Sequence, residues 1–206
     1  MSESFALAIG IFAALFMFCG DMLLYFTTSR DYKYDGTLNP IITVMQGIPE
    51  WRLMLGGLLG PITAFLYCIG FFHITVAALD GYKCFAFFIF LICSLGMIVG
   101  GAYHSHCTYI GLIKKEDNNI EKVFKNIKLL SSVSSILMAI GLFSLAIIIV
   151  LGKTQYPRWL ALLTPGILYF LKFLWRKLPQ PSLIILYGGW YNLMFAIYFF
   201  ISLLLS

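Results

Sequence analysis

Six stretches of apolar residues, 5–27, 53–78, 84–113, 129–151, 157–175 and 183–205, occupy most of this chain. Each is close to or above the roughly 20 residues that a helix needs to cross the hydrocarbon of a bilayer. Peptide groups inside hydrocarbon have no water to bond, so a crossing segment must satisfy its own N–H and C=O groups, and a helix does this within itself. The runs therefore predict an all-α fold: a polytopic integral membrane helical bundle with six transmembrane helices, forming a single domain over residues 1–206. Composition agrees, because charged residues make up only 11% of the chain, against about 25% in a soluble domain.

The formal charge of +5 would in a soluble protein raise the question of a nucleic-acid partner. Here the basic residues sit in short connections beside the apolar runs, where they act as orientation signals, and no nucleic acid is expected. Connections after the first, third and fifth runs, with the adjoining helix ends, hold Arg30, Lys33, Arg52, Lys114, Lys115, Lys122, Lys125, Lys128, Lys172, Arg176 and Lys177. The opposite side holds Lys83, Lys153 and Arg158. By the positive-inside rule the first group faces the cytoplasm, and both termini lie on the non-cytoplasmic side of a cell membrane. Cys19, Cys68, Cys84, Cys93 and Cys107 are scattered through apolar runs without CxxC spacing, so free thiols are expected. Glu3 precedes the first run where a signal peptide would carry basic residues, and nothing marks that run as cleavable.

Within the connections, Ile41 to Met45 reads as a short amphipathic piece at the interface, and Lys114 to Lys128 as a solvated, largely helical link. Pro165-Gly166 predicts a kink in the fifth span. Gly56 and Gly60 have GxxxG spacing, which lets a neighbouring helix come close.

The polar residues inside the runs are few, and orientation assigns them depths. Asp21 lies six residues before Thr27, roughly 9 Å inside the cytoplasmic boundary at 1.5 Å per residue. His104, His106 and Cys107 on the third span fall at a similar depth, as do Lys172 on the fifth and Tyr187, Trp190 and Asn192 on the sixth. Gly96, Gly100, Tyr103, His104, Cys107 and Gly111 recur at three- and four-residue spacing, which predicts one close-packing face around His104. His106 stands about 200° from His104 on a regular helix, so the two cannot chelate one ion unless Gly100-Gly101 breaks the helix.

An ionised carboxylate costs about 2.5–3.5 kcal/mol in a span on insertion scales, so Asp21 must be paired or protonated and must face protein or water. One reading is a structural bridge from Asp21 to His104 or Lys172; the other is a cytoplasm-facing pocket. In the second, Asp21, His104, Cys107, Lys172, Tyr187 and Asn192 are the candidate ligand-binding residues, Asp21 and His104 the candidate catalytic pair, and a membrane lipid or small amphiphile the ligand. A break at Pro61 would bring His73 to His104, His106 and Asp21, a donor set suited to zinc, and would make an intramembrane metal-dependent lipid hydrolase or amidase the alternative. A structural or assembly protein without chemistry is the third.

The strings Gly20-Asp21-Met22-Leu23-Leu24-Tyr25, Gly56-Gly57-Leu58-Leu59-Gly60-Pro61, Tyr67-Cys68-Ile69-Gly70-Phe71-Phe72-His73 and Gly101-Ala102-Tyr103-His104-Ser105-His106-Cys107 resemble an uncharacterised family of small bacterial multi-pass membrane proteins. The resemblance covers most of the chain. It implies a fold and a membrane location, and it brings no activity with it.

Overall fold

A computed structural model describes residues 1–29, 39–113 and 120–206. Arg30, Lys33, Lys114 and Lys115 of the charge census, and the start of the 114–128 link, lie outside the described residues. The described chain is helical, without a named strand. The helices are α1 (Glu3–Tyr25), α2 (Asn39–Gln46), α3 (Glu50–Phe71), α4 (His73–Ala77), α5 (Lys83–Leu112), α6 (Ile120–Val150), the short α7 (Pro165–Leu168) and α8 (Lys172–Trp175), and α9 (Gly189–Leu205). Five helical stretches are long and apolar enough to cross a membrane: Glu3–Tyr25, Glu50–Ala77, Asp80–Leu112, Ile120–Val150 and Leu183–Leu205.

Glycines set how these rods pack. A Cβ on Gly10 would lie 2.8 Å from Phe199, and one on Gly70 would lie 2.7 Å from Gly10 Cα; near the other end of α1, Gly20 meets Gly56 and His104. Thus α1 runs antiparallel to both α3 and α9. Gly60 lies against Gly101, and Gly57 against Thr108, so α5 reverses α3 again. Gly141 of α6 lies against Cys93 and Gly100 against Ser134, which makes α6 antiparallel to α5. Such contacts let helix backbones approach where lipid provides no hydrophobic drive for association.

Two ends result. Ser4 and Ser206 meet at the first, within 3.3 Å of each other. Tyr25 marks the second, where Arg52 donates to the carbonyls of Met22 (2.9 Å) and Phe26 (3.3 Å) at the exit of α1. A cation there answers the negative end of the helix dipole. Between the ends, Tyr67, Phe71, Phe195 and Phe199 form the aromatic centre of the core.

The fifth expected span is built differently from a regular helix. Residues 158–175 run as a 3₁₀ turn (Arg158–Leu163), α7, a second 3₁₀ turn (Tyr169–Leu171) and α8. Pro165 has no N–H to donate and disfavours helical geometry in the residue before it. Thr164 is accordingly extended, with φ −62° and ψ 145°. The broken path still returns along the bundle: Tyr156 lies at the Glu3 end, Trp190 of α9 donates to Leu168 O at 2.9 Å, and the Trp175 and Trp190 rings pack edge-on. The fourth span also begins earlier than its apolar run, because Glu121 to Lys128 are the first turns of α6 itself.

At the Glu3 end, Leu79 N–H donates to Lys153 O and Gln155 N–H to Ala77 O, tying the α4–α5 turn to the exit of α6. Gln155 and Tyr156 both donate side-chain hydrogen bonds to the Glu3 carboxylate. Burial holds the Tyr156 phenol well above the ordinary tyrosine range. Above about pH 10 the unfolded chain ionises this phenol while the folded chain keeps its proton, so stability falls as pH rises there. Tyr156→Phe is expected to lower stability at pH 8 by about 1 kcal/mol and to shrink the further loss between pH 9.5 and 11, both read from thermal unfolding in detergent.

Candidate functional site

The site begins with a missing backbone donor. Pro61 has no N–H for the carbonyl of Gly57, yet α3 continues through it, because Ser105 of α5 donates to Gly57 O at 2.8 Å. One residue away on each helix, His104 Nε2 lies 3.1 Å from Gly56 O. The close approach at Gly60 and Gly101 makes both bonds reachable. Of the face expected around His104, Gly96 and Gly100 turn instead toward Met138 and Ser134 of α6, while Gly101, His104 and Gly111 face α3.

From His104 a chain of polar groups links four helices, α5, α1, α9 and α3. His104 Nδ1 is 3.5 Å from Asp21 Oδ1, Asn192 Nδ2 donates to Asp21 Oδ2 at 2.7 Å, and Tyr67 OH donates to Asn192 Oδ1 at 2.8 Å. A carbonyl only accepts, so His104 Nε2 carries a hydrogen for Gly56 O. Its Nδ1 would then turn a lone pair toward the Asp21 carboxylate if the ring were neutral and the acid ionised. One proton between Nδ1 and Oδ1 removes that repulsion, whether it sits on the acid or on the ring.

This chain forms one wall of a cavity of about 590 Å³ between α1, α5, α6, α7–α8 and α9. Cys107, Lys172 and Asn192 line it. Tyr187 lies outside the lining but under Lys172, whose ammonium stands 4.5 Å from its ring centre. Among the described residues Asp21 makes its ion-pair contact with His104 and not with Lys172. The other two histidines are elsewhere. His73 is buried in contact with Gly70 O (2.7 Å) and Tyr198 OH (3.1 Å). Gly70 abuts Gly10 while His104 abuts Gly20, so ten residues of α1, about 15 Å, separate the two levels. His106 Nδ1 contacts Ala102 O at 2.8 Å on its own helix, because α5 runs unbroken through Gly100-Gly101. With neither Pro61 nor Gly100-Gly101 breaking its helix, Asp21, His73, His104 and His106 do not converge, and among the described residues no group of three possible metal ligands is found.

With this geometry in view, the whole chain can be compared with known proteins. Residues 2–206 match the model of a family of unknown function, DUF6796. The chain belongs to that family. No curated protein and no solved structure matches it.

Several lining residues of this DUF6796 chain had no signal in the sequence. Ser131, Ser134 and Ser135 of α6 are serines of a kind that can bond back to helix carbonyls. Ser134 instead donates across to Gly96 O at 2.8 Å, and all three line the cavity. Tyr191 lines it too, beside Tyr103; in the sequence Tyr191 is one among 12 tyrosines. The half of the bundle at the Glu3 end also holds a buried polar group that the run pattern hides: Tyr198 and His73 in contact, with Tyr156 beside them and bonded to Glu3.

Proposed function

We propose that this protein crosses a cell membrane six times and binds a lipid or small amphiphile in the cavity beside Asp21 and His104. The return path supports the sixth crossing: α6 ends at the Glu3 end, α9 starts at the Tyr25 end, and residues 157–175 must travel back between them. The charge census orients the Tyr25 end, and with it the Asp21–His104 pair, toward the cytoplasm.

The observation that carries the binding reading is a polarity gradient along every wall. On α6 the lining passes from Ser131, Ser134 and Ser135 to Met138, Leu142 and Phe143. On α5 it passes from Cys107 and His104 to Met97, on α1 from Asp21 to Met17, and on α9 from Asn192 to Met194. Met45, Ile110 and Ile127, all buried, close the Tyr25 end. The way in is sideways, between α6 and α7–α8, where Ser135, Ala139, Tyr169 and Phe170 are exposed and line the cavity together. From Ile127 to Leu142 the lining extends about 22 Å along α6, more than the roughly 15 Å depth of one hydrocarbon leaflet. The volume lies within the roughly 300–1,000 Å³ of small-molecule sites.

Ala139→Trp places an indole in the lateral opening without touching the polar wall. In delipidated, detergent-solubilised protein, saturating 1-oleoylglycerol is expected to raise the wild-type unfolding temperature by several degrees, as ligand linkage requires. The variant should unfold at the wild-type temperature without the amphiphile and lose most of the shift with it. Equal shifts in both proteins would place the amphiphile outside the cavity and overturn the reading.

A further inference from the structure

Accepting that the cavity binds an amphiphile, we infer that the ligand it selects is a single anion whose headgroup is held by Lys172. Lys172 is the one lysine or arginine among the described residues that lines the cavity. Its neighbours along the chain, Arg176 and Lys177, are exposed, as cations at a membrane edge normally are, whereas Lys172 is partly covered. Its ammonium stands over Tyr187 at 4.5 Å and over Tyr169 at 5.9 Å from the ring centres. These rings steady a cation without neutralising it.

Neutralisation is the point on which the inference turns. Asp21 is the one aspartate or glutamate in the described lining. It is hydrogen-bonded to Asn192 and Tyr25 and lies 3.5 Å from His104. Among the described residues its ion-pair contact is with His104, and Lys172 makes no salt bridge of its own. The remaining ionisable lining groups are tyrosines and Cys107, neutral at pH 7. One positive charge is left facing a mostly apolar space, where a lone cation is costly and a matching anion correspondingly welcome. Ser131 and Ser135 on the opposite wall supply neutral donors for a carboxylate or phosphate. Below them lies the apolar part of the cavity for a tail.

Three probes of one chain length separate charge from tail: oleate, oleyl alcohol and oleylamine, titrated into delipidated wild type, Lys172→Gln and Lys172→Arg, with butyrate as a tail-less anion. Oleate is expected to bind wild type at least about tenfold more tightly than oleyl alcohol, the scale of one charge-assisted bond. Lys172→Gln should lose that preference while still binding oleyl alcohol, which shows the cavity intact, and Lys172→Arg should retain it. Equal binding of oleate and oleyl alcohol by wild type, or an unchanged preference in Lys172→Gln, overturns the assignment of charge and leaves the amphiphile site standing. Butyrate binding as tightly as oleate keeps the anion but identifies it as a free solute. Wild type that binds none of the three long-chain probes overturns the amphiphile site itself.

Discussion

Gly101→Val is expected to leave little stably folded protein in mild detergent. A Cβ at Gly101 would sit 2.7 Å from Ala64 Cβ and 2.9 Å from Gly60 O, and one at Gly60 would sit 2.7 Å from Gly101 O. These are backbone and Cβ atoms, so no rotamer change relieves the overlap; α3 and α5 must move apart. Overpacking of this kind costs about 1–3 kcal/mol. Separation also removes the His104 bond to Gly56 O and the Ser105 bond to Gly57 O, the latter leaving an orphaned carbonyl below Pro61. An unsatisfied buried acceptor adds about 1–3 kcal/mol. The sum, about 3 kcal/mol or more, is a large fraction of the roughly 5–15 kcal/mol that keeps a typical protein folded. Gly81→Ala is the control, since a Cβ there meets nothing within 4 Å, and it should change stability by no more than about 0.5 kcal/mol. Thermal unfolding followed by circular dichroism reads both. A Gly101→Val protein that melts with the wild type would mean that α3 and α5 are not in backbone contact.

How much of this was legible in the sequence depends on what kind of signal each feature leaves. Apolar run length is a strong signal because bilayer thickness dictates it, and five long helices fall where five of the runs lie. At 157–175 the run has adequate length and Pro165 was visible, but a kink and a succession of short turns look alike in sequence; the neighbours of Leu168 and Thr164 decide between them. Gly56 and Gly60 announced a close approach, and the structure supplies the partners: Leu24 and Gly20 of α1 for Gly56, Gly101 of α5 for Gly60. Helical phase alone could not divide the α5 glycines between two neighbours, because both faces of that helix are packed. Asp21 and His104 were recognisable because charge and imidazole are rare in a span. Ser131 and Tyr191 were not, because these residue types commonly serve helix packing and interfaces and only their shared cavity distinguishes them.

Asp21 itself provides the second large effect, in a contrast between two substitutions. Asp21→Leu removes the partner of Asn192 Nδ2, of the Tyr25 hydroxyl and of His104 Nδ1, leaving buried polar atoms on three helices without it. Unsatisfied buried groups cost about 1–3 kcal/mol, while interhelical hydrogen bonds in membranes have averaged about 0.6 and reached about 1.7 kcal/mol, since the unfolded chain in lipid also finds partners. A loss of about 1–2 kcal/mol is expected, with a similar coupling to His104→Leu in a double-mutant cycle. Asp21→Asn behaves differently if the shared proton rests on the acid. An asparagine oxygen accepts from Asn192 and its NH₂ donates to His104 Nδ1, reproducing a protonated aspartate bond for bond. That variant should then keep nearly all of the stability and all of the preference for an anionic amphiphile. If Asp21→Asn is instead as damaging as Asp21→Leu, the proton rests on the ring, and the stabilising contact is imidazolium against carboxylate. Absence of coupling between positions 21 and 104 would show that the two side chains are near each other without interacting.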